Sequence, residues 1–564
     1  MFKSLFAHRD ATSVDLCSRP THRALLSHPQ LAHGLLPPRF NTVSPLDRAL
    51  LQLRSKDSML EKYVFMMQLK DQDQDLFYRV TMGNTTEVIP VLYTPTVGDA
   101  CLNFSHIYRR PDGLFISIED KGRIGSILRS WPRREEARIS VVTDGSRILG
   151  LGDLGVNGMP ISIGKLSLYV AGAGIRPSST LPICLDLGTN NGKLLADPLY
   201  LGRQQKRVSD KEMQEFMDEF MMEMSVHFPK LLVQFEDFST DNAFKYLARF
   251  RNRYPIFNDD IQGTGAVVLG GFINAAKLSS AASGKPLSEH RILFFGAGSA
   301  GVGVAQQLMS FFKLQGLTED QARECIWTVD SQGLITADRK NLPEHKKFFA
   351  RRDYTGPPVK DLVEIIDLVK PTALLGLSTI HGAFNESVVK AMLANNPRPI
   401  IFPLSNPLTM CELDFSDAVK WTDGKVLFSS GSPYKNIQYG DKLLEPGQGN
   451  NMFVFPGIGL GSLLAQATSV TDSMIEASAI AVSESLTPDE QAHELMYPRI
   501  TRIREISAFV ALKVIRTAQK AGVDKAKALR TMSDDQLISF IQTKMWKPSA
   551  EILHLHTTGL GNKL

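Results

Sequence analysis

The sequence predicts an α/β protein with a Rossmann-type dinucleotide-binding domain, a second parallel α/β domain, and helical N- and C-terminal segments. Two observations carry this prediction. Short apolar runs that end in polar turns alternate with helical patterns over most of the chain, as in parallel sheets. One run, residues 291–295, leads directly into a glycine-rich turn and a helix, which is the order of a dinucleotide-binding unit.

Four segments are expected along the chain. Residues 1–90 form a helical N-terminal segment, because apolar residues recur at helical spacing with few helix breakers. Residues 91–260 form an α/β catalytic domain, and residues 261–446 form the dinucleotide-binding domain. Residues 447–564 return to the catalytic domain and end in peripheral helices.

The composition is that of an ordinary globular protein. The 564 residues are 43% hydrophobic and 22% charged, with a net charge of only +4. A small net charge that is spread along the chain, without a concentrated basic face, argues against nucleic-acid binding. The 5 cysteines are scattered and form no CxxC pair, which predicts reduced thiols and no zinc site. No apolar run is expected to reach the length of a membrane span.

Residues 1–23 are the only candidate targeting segment. They combine Phe2, Leu5 and Phe6 with basic residues and contain no acid before Asp10. A short organellar presequence has this composition, and so has a frayed N-terminal tail. The sequence therefore leaves a mitochondrial-matrix location and a cytoplasmic location open.

Two adjacent acid pairs give the main signal for a site. Glu236-Asp237 and Asp259-Asp260 each end an apolar run. Neighbouring side chains in a strand point to opposite faces, so paired acids that act together must lie where the strand ends. The carboxyl edge of a parallel sheet is also where α/β enzymes bind ligands. Carboxylates meeting there predict Mg²⁺ or Mn²⁺ rather than Zn²⁺, and two unrelated solvated acid pairs are the alternative.

Two further turns are expected to bring polar side chains to this edge. Residues 90–101 are expected to form a strand that runs into a Pro/Gly turn beside Tyr93. Residues 150–155 match GxGxxG only weakly, so we interpret them as a tight turn that delivers Arg147 and Lys165. Because a charged lysine is costly to bury in an apolar run, Lys165 is either a snorkelling side chain or a functional lysine with a depressed pKa.

The second glycine motif predicts the dinucleotide site. It consists of Gly296, Gly298, Ser299, Ala300 and Gly301. The next strand ends in Asp330, which would bond the ribose hydroxyls and so favours NAD. Ser331 and the nearby Lys346 instead suit the 2′-phosphate of NADP. These residues alone leave NAD and NADP open.

Together these motifs resemble the malic enzyme family from about residue 35 to about residue 514. The resemblance rests on long motifs in the family's order: YTPTVG, VVTDGSRILGLGDLG, GIRP, QFEDF, FNDDIQGT, GAGSAG, LSNP and PGQGNN. It implies oxidative decarboxylation of L-malate to pyruvate and CO₂, with NAD(P)⁺ and with Mn²⁺ or Mg²⁺. Ser331 with Lys346 is similar to the NADP-preferring members, so NADP is favoured. A homodimer or homotetramer is also implied.

The same resemblance assigns metal binding, catalysis and substrate binding to three sets of residues. The metal ligands are Glu236, Asp237 and Asp260. The catalytic residues are Tyr93, Lys165 and Asp259, and the substrate-binding residues are Arg147, Asn406 and Asn451. Within the catalytic set, Lys165 matches the general base, with Asp259 beside it, and Tyr93 matches the general acid. Asn406 is also expected to contact the cofactor.

Three alternatives have different chemistry. An amino-acid dehydrogenase also pairs a lysine with a later dinucleotide domain, but it needs no three carboxylates for a metal. A relative that retains NAD and converts malate to lactate would carry the same motifs. A non-catalytic cofactor-binding protein is disfavoured, because it should have lost at least one catalytic or metal-binding residue.

Overall fold

The computed structural model of the protein describes residues 43–406 and 408–549. The chain forms two compact units. One is Tyr93–Trp546, and the other combines Met1–Leu92 with Lys547–Leu564. The larger unit contains both sheets and all the predicted site residues.

The smaller unit is helical over its described residues. Its helices are α1 (Pro45–Arg54), α2 (Met59–Gln72), α3 (Gln74–Gly83) and α4 (Thr85–Leu92). Helix α2 begins with a capping box, in which Ser58 and Glu61 each accept a hydrogen bond from the other's backbone amide. The candidate targeting segment at residues 1–23 lies outside the described residues.

The prediction of a strand at residues 90–101 is wrong. This stretch comprises the end of α4, a short turn that contains Tyr93, and helix α5 (Thr96–Leu102). In the turn, the amide of Val97 donates to the carbonyl oxygen of Tyr93 at 2.8 Å. A short apolar run suits a buried helix as well as a strand, so periodicity could not distinguish the two.

The first sheet is parallel throughout its described strands, in the spatial order β1–β3–β2–β4–β5. The strands are β1 (Leu114–Ser117), β2 (Ile139–Thr143), β3 (Thr180–Asp186), β4 (Leu232–Phe235) and β5 (Ile256–Asn258). Phe235 of β4 lies beside Asn258 of β5. The two acid pairs follow these residues directly, so they leave the sheet side by side at its carboxyl edge.

Helices cover this sheet on both faces. The helices of this part of the chain are α6 (Phe104–Ile107), α7 (Ile124–Arg129), α8 (Met159–Ala173), α9 (Gly192–Leu195), α10 (Asp210–His227) and α11 (Thr240–Phe250). On one face, Phe216 and Phe220 of α10 pack with Val233 and Phe235 of β4 in the core. Helix α8 packs against β2 and β3, and every one of its residues is buried.

The second sheet has the order β14–β11–β10–β9–β6–β7–β8 and is parallel except for β8. Its strands are β6 (Ile292–Phe295), β7 (Ile326–Asp330), β8 (Gly333–Leu334), β9 (Ala373–Gly376), β10 (Ile400–Pro403), β11 (Leu427–Ser430) and β14 (Gly447–Gln448), and β12 (Ile437–Tyr439) and β13 (Lys442–Leu444) form a separate hairpin. The chain leaves β6 toward β7 on one side, and β9 lies on the other. Ligands bind at such a switch point in open α/β sheets.

The remaining helices surround the second sheet or follow it. They are α12 (Thr264–Ser283), α13 (Ser299–Leu314), α14 (Glu319–Glu324), α15 (Glu344–Lys347), α16 (Leu362–Val369), α17 (Glu386–Asn395), α18 (Phe415–Trp421), α19 (Phe455–Ala465), α20 (Asp472–Glu484), α21 (Pro488–Ala492), α22 (Ile503–Ala521) and α23 (Asp534–Lys544). Helices α19 and α22 pack against α8, so the chain returns to the first sheet after completing the second.

A π-helical turn, Asp259–Gly263, joins β5 to α12. By length and composition, the helical stretch Asp259–Ser283 could cross a membrane, which corrects the expectation that no run is long enough. However, 67% of its most apolar window is buried inside the protein, as in the core helix of a globular domain.

Candidate active site

The three predicted metal ligands lie together at the carboxyl edge of the first sheet. One carboxylate oxygen from each of Glu236, Asp237 and Asp260 lies within 4.8 Å of the others. Asp237 has a left-handed backbone, with φ of 56°, which turns the chain sharply after Glu236. Its amide donates to Oδ2 of Asp260 at 2.7 Å, so the ends of the two strands are joined through the acids themselves.

This cluster fits a divalent cation. Burial and the neighbouring carboxylates raise the pKa values of Glu236 and Asp237 well above the ordinary range, and burial raises the pKa of Asp260 to about 6. Oδ2 of Asp237 is buried and has no hydrogen-bond partner among the described residues. Buried carboxylates that lie this close together repel one another. Their oxygens suit Mg²⁺ or Mn²⁺, whose positive charge would offset the negative charge of the carboxylates.

Lys165 is buried against the same cluster. Its ammonium is in direct contact with Oδ2 of Asp259 and lies 3.0 Å from Oε1 of Glu236. The ring centroids of Tyr93 and Phe455 lie 5.0 and 4.7 Å from Nζ.

The depressed pKa considered for Lys165 is wrong for this arrangement. Burial lowers the pKa of the ammonium, but the carboxylates of Asp259 and Glu236 outweigh burial and hold that pKa well above its ordinary value. The sequence around Lys165 is apolar and contains no sign of these carboxylates, because both come from strands far along the chain.

Asp259 is held from a second side by Asn451. Nδ2 of Asn451 donates to Oδ2 of Asp259 and to Oγ1 of Thr264, both at 2.9 Å. The other oxygen of Asp259 lies against Gly263, where any side chain would overlap with it. The described contacts of Asn451 are therefore with Asp259 and Thr264, and its role in substrate binding stays a prediction.

Tyr93 lies in the turn before α5, with its ring beside the Lys165 ammonium. The residue is only 6% exposed. Burial raises the pKa of its phenol well above the ordinary value, so the hydroxyl keeps its proton at neutral pH. A neutral phenol beside the lysine is chemically suited to donate a proton.

Arg147 lies between the acid cluster and the glycine turn of the second sheet. Its amide donates to the carbonyl oxygen of Asp237 at 3.1 Å, and its guanidinium donates to Oγ1 of Thr240 at 2.5 Å. A Cβ atom on Gly298 would lie 3.9 Å from Nη1 of Arg147. The structure thus brings this cation next to both predicted sites.

The glycine turn connects β6 to the N-terminus of α13. Of the five predicted residues, Gly296 and Gly298 lie in this turn, and Ser299, Ala300 and Gly301 begin the helix. Gly296 has φ of 113°, and a side chain there would overlap with the carbonyl group of Leu377, in the turn after β9. Glycine is therefore required where the two turns touch, and the helix N-terminus beyond them suits a pyrophosphate.

Asp330 ends β7 and is bound by two cations. Lys346 donates to its Oδ2 at 2.8 Å, and Arg339 donates to both oxygens at 3.0 and 3.1 Å. Burial acts to raise the pKa of Asp330, but the bonds from Lys346, the Gln332 amide and Arg339 hold it below its ordinary value. Ser331 is exposed next to this ion pair.

Asn406 lies at the carboxyl edge of the second sheet, after β10. Its Oδ1 accepts a hydrogen bond from Oγ of Ser432 at 2.5 Å. A side chain on Gly431 would overlap with its amide. These described contacts fix the orientation of Asn406, and its predicted contacts with substrate and cofactor stay predictions.

Phe455, Gln234 and Arg339 are among the residues that contact the predicted site and that the sequence analysis missed. Gln234 could have been found, because it is a polar residue inside the apolar run of β4. Phe455 is one of many apolar helix residues, and Arg339 one of several cations after β7. Nothing in their local sequence indicates which distant residue each contacts.

The fold and the site define a class of protein: a dinucleotide-dependent oxidoreductase with a buried lysine and a carboxylate cluster. Two family descriptions match the chain, "Malic enzyme, N-terminal domain" over residues 70–251 and "Malic enzyme, NAD binding domain" over residues 261–519. The chain belongs to the malic enzyme family.

Two relatives illustrate the extent of the similarity. The chain is 45% identical over 518 residues to the NADP-dependent malic enzyme of Dictyostelium discoideum, covering 92% of this chain and 93% of the relative. It is 42% identical over 519 residues to the NADP-dependent malic enzyme of Vitis vinifera, covering 91% and 86%. The resemblance predicted from the motifs is therefore confirmed.

Solved structures show the same fold. The crystal structure of Entamoeba histolytica malic enzyme matches with a TM-score of 0.56 at 22% identity, covering 92% of this chain and 91% of that one. The malic enzyme from Pyrococcus horikoshii matches with a TM-score of 0.54 at 23% identity, covering 82% and 89%. The predicted fold class is confirmed, and the four segment limits stay predictions.

Proposed function

We propose that this protein catalyses the oxidative decarboxylation of L-malate to pyruvate and CO₂, with reduction of NADP⁺. One observation carries this proposal. Lys165 and Asp259 are buried in direct contact beside the acid cluster, and Arg147 lies between that cluster and the glycine turn of the second sheet. The names of the relatives, NADP-dependent malic enzyme, support the same reaction.

Glu236, Asp237 and Asp260 would hold one divalent cation, Mn²⁺ or Mg²⁺. Their clustered oxygens support this assignment, and so does Oδ2 of Asp237, which is buried without a hydrogen-bond partner in the part of the chain that the structure describes. When bound, the cation would act as a Lewis acid on the 2-hydroxyl of malate and offset the carboxylate charge around Lys165.

The chain's own residues orient malate and move its protons. Arg147 binds a malate carboxylate through charge-assisted hydrogen bonds. With a cation bound, the carboxylate charge that holds its proton is offset, so Lys165 would be neutral and would accept the proton of the 2-hydroxyl. Asp259 would stabilise the resulting ammonium through the contact described above. The glycine turn would hold NADP⁺, which would supply the acceptor for the hydride of C2. After CO₂ is lost, the neutral phenol of Tyr93 donates a proton to C3 to give pyruvate.

NADP⁺ is preferred to NAD⁺. Arg339 and Lys346 compensate the charge of Asp330, which would otherwise repel a 2′-phosphate. A cavity of about 380 Å³ beside them is lined by further cations, Lys347 and Arg352. The exposed hydroxyl of Ser331 supplies a hydrogen-bond donor at the same place.

We also propose that the protein is a homodimer or homotetramer, which the helical N-terminal segment and the family resemblance support. Light scattering on the full-length protein tests this assembly.

For the location, we propose the mitochondrial matrix or the cytoplasm. The composition of residues 1–23 supports the matrix if this segment acts as a presequence, and the cytoplasm if it is an N-terminal tail. Imaging the full chain with a C-terminal fluorescent tag, with and without residues 1–23, tests it.

A steady-state assay with L-malate and Mn²⁺ tests the reaction by comparing NADP⁺ with NAD⁺. We expect reduced nicotinamide to appear with a higher kcat/KM for NADP⁺. A preference for NAD⁺ would keep the reaction but contradict the role of the cations around Asp330. Release of CO₂ and lactate without net reduction of either cofactor would favour the lactate-forming alternative.

A further inference from the structure

We propose that Gln234 and Tyr169 are positioning residues that fix the orientation of the Glu236 carboxylate in the metal site. This inference rests on the proposed function, because it takes Glu236 to be a metal ligand. Gln234 is fully buried in β4, between Val233 and Phe235, which both belong to the apolar core on one face of the sheet. By strand alternation, Gln234 points to the other face, toward α8.

A chain of two hydrogen bonds links α8 to Glu236. The hydroxyl of Tyr169 donates to Oε1 of Gln234 at 2.5 Å. Nε2 of Gln234 then donates to Oε2 of Glu236 at 2.7 Å. Tyr169 and Gln234 both have 0% exposure, so water does not compete for these bonds. The amide thus uses both of its ends to connect a helix to the carboxylate.

Helix α8 holds the Glu236 carboxylate at both of its oxygens. Lys165 and Tyr169 are four residues apart in α8 and therefore project from the same face of the helix. Nζ of Lys165 lies 3.0 Å from Oε1 of Glu236, whereas Oε2 receives the bond from Gln234. Rotation of the carboxylate would break at least one of these contacts, so its plane is set in advance of any ligand.

The Tyr169 hydroxyl determines which end of the amide faces Glu236. As a metal ligand Glu236 is ionised and can only accept hydrogen bonds, so Gln234 must present its NH₂ group to it. A donor at the opposite end stabilises the same orientation, because it requires the amide oxygen to face Tyr169. The reversed amide would place its oxygen against the carboxylate and leave the phenol facing an NH₂ group.

The packing of Tyr169 leaves its hydroxyl little freedom. Its ring lies edge-on to Phe455, with ring centroids 4.8 Å apart. A Cβ atom on Gly459 would lie only 2.5 Å from Cε1 of the tyrosine. Phe455 also lies under the ammonium of Lys165. Helix α19 therefore fixes both of the side chains through which α8 reaches Glu236.

Direct Mn²⁺ binding to the full-length protein tests this inference. Gln234→Met keeps the length of the side chain but removes the donor, and Tyr169→Phe removes only the hydroxyl. By electron paramagnetic resonance of free Mn²⁺, without malate, we expect Gln234→Met to raise the dissociation constant about 10- to 100-fold, as for other residues that orient metal ligands. Tyr169→Phe should raise it by a smaller factor. With saturating Mn²⁺, kcat should change less than the Mn²⁺ requirement.

Tyr246→Phe is the matched control. Tyr246 is buried in the core of the same sheet, and its hydroxyl has no hydrogen-bond partner among the described residues. We expect it to leave Mn²⁺ binding unchanged, and an equal effect in Tyr246→Phe and Tyr169→Phe would overturn the inference.

The inference would also be overturned if the two single variants, Tyr169→Phe and Gln234→Met, both fold and bind Mn²⁺ as tightly as the wild-type protein. If Gln234→Met fails to fold, the comparison of Tyr169→Phe with Tyr246→Phe decides alone. If the unmodified protein does not bind Mn²⁺, the metal site of the proposed function fails first. That result is distinct, because it appears before any substitution is made.

Discussion

At the carboxyl edge of the first sheet, four described carboxylates gather around the single ammonium of Lys165, whereas at the second sheet the one carboxylate of Asp330 lies between two cations. Negative charge is in excess at the first edge and positive charge at the second. The first edge therefore suits a cation, and the second suits an anionic group such as a phosphate. Each edge is complementary to a ligand of opposite sign.

Burial separates the two edges as well. The side chains of Lys165, Glu236 and Asp259 are at most 3% exposed, whereas those of Asp330, Arg339 and Lys346 are 10–18% exposed and lie near solvent. Charges interact more strongly in the drier environment, and losing one partner there leaves an uncompensated buried charge. Substitutions at the first edge should therefore have larger effects than substitutions at the second.

The largest effect is expected at Lys165. Lys165→Ala should reduce malate oxidation by about 10²–10⁴-fold, because it removes the general base. Tyr93→Phe should instead impair decarboxylation of added oxaloacetate more than Lys165→Ala does. Both activities are measured for both variants under saturating Mn²⁺. Mild and equal losses in the two assays would show that the two roles are wrongly assigned.

A smaller but selective effect is expected at Asp260. Asp260→Asn should raise the Mn²⁺ concentration needed for half-maximal activity by about tenfold or more, because even residues beyond the ligands change metal affinity that much. Titration of the activity with Mn²⁺ measures this. Asp241→Asn is the control, since the Asp241 side chain is 93% exposed. An unchanged requirement in Asp260→Asn would remove Asp260 from the ligand set.

At the second edge, a change in cofactor preference is expected rather than a loss of chemistry. Arg339→Ala should lower kcat/KM for NADP⁺ about tenfold, equivalent to about 1.4 kcal/mol, and affect NAD⁺ less, because Asp330 loses part of its compensation. Lys340→Ala is the control, since Lys340 is exposed beside it. Equal losses with both cofactors would mean that Arg339 supports the fold rather than the preference.

The last effect concerns stability rather than activity, at His290, which precedes β6 at the amino edge of the second sheet. Burial lowers its pKa to about 4, and its ring bonds to Ser280 and Thr372. An unfolded histidine titrates near 6.5, so below that pH the unfolded chain binds a proton that the folded protein does not. Stability present above pH 6.5 is therefore lost as the pH falls toward 4.

Urea unfolding at pH 7 and pH 5 checks this expectation. The wild-type protein should lose about 2 kcal/mol more of its unfolding free energy between these values than His290→Gln does. Because each protein is compared with itself at the two pH values, any change in stability that the substitution causes at both pH values cancels. The same loss in both proteins would show that other groups account for the acid sensitivity.

The parts of the site that follow from strand ends were predictable. Acid pairs after β4 and β5 had to meet, because adjacent parallel strands end side by side. Tyr93 was assigned a role through its motif, but its turn between two helices was not predicted, since a short apolar run does not distinguish strand from helix.

Contacts between distant segments were not predictable. The raised pKa of Lys165 arises from Asp259 and Glu236, and neither is marked in the apolar sequence around the lysine. Arg339 was missed for the same reason, because its bond to Asp330 depends on how the chain folds back after β7. Such contacts are set by tertiary packing and leave no local pattern.

The contact of Asn451 with Asp259 has a consequence for synthesis on the ribosome. Once Asp260 has emerged, the nascent chain contains Lys165 and every carboxylate of the cluster. Asn451 and Phe455, which complete their surroundings, emerge only after the whole second sheet has been made. During that interval the chain lacks two side chains that contact Asp259 and Lys165, so a growing chain holds the chemical groups of the site long before it holds their complete surroundings.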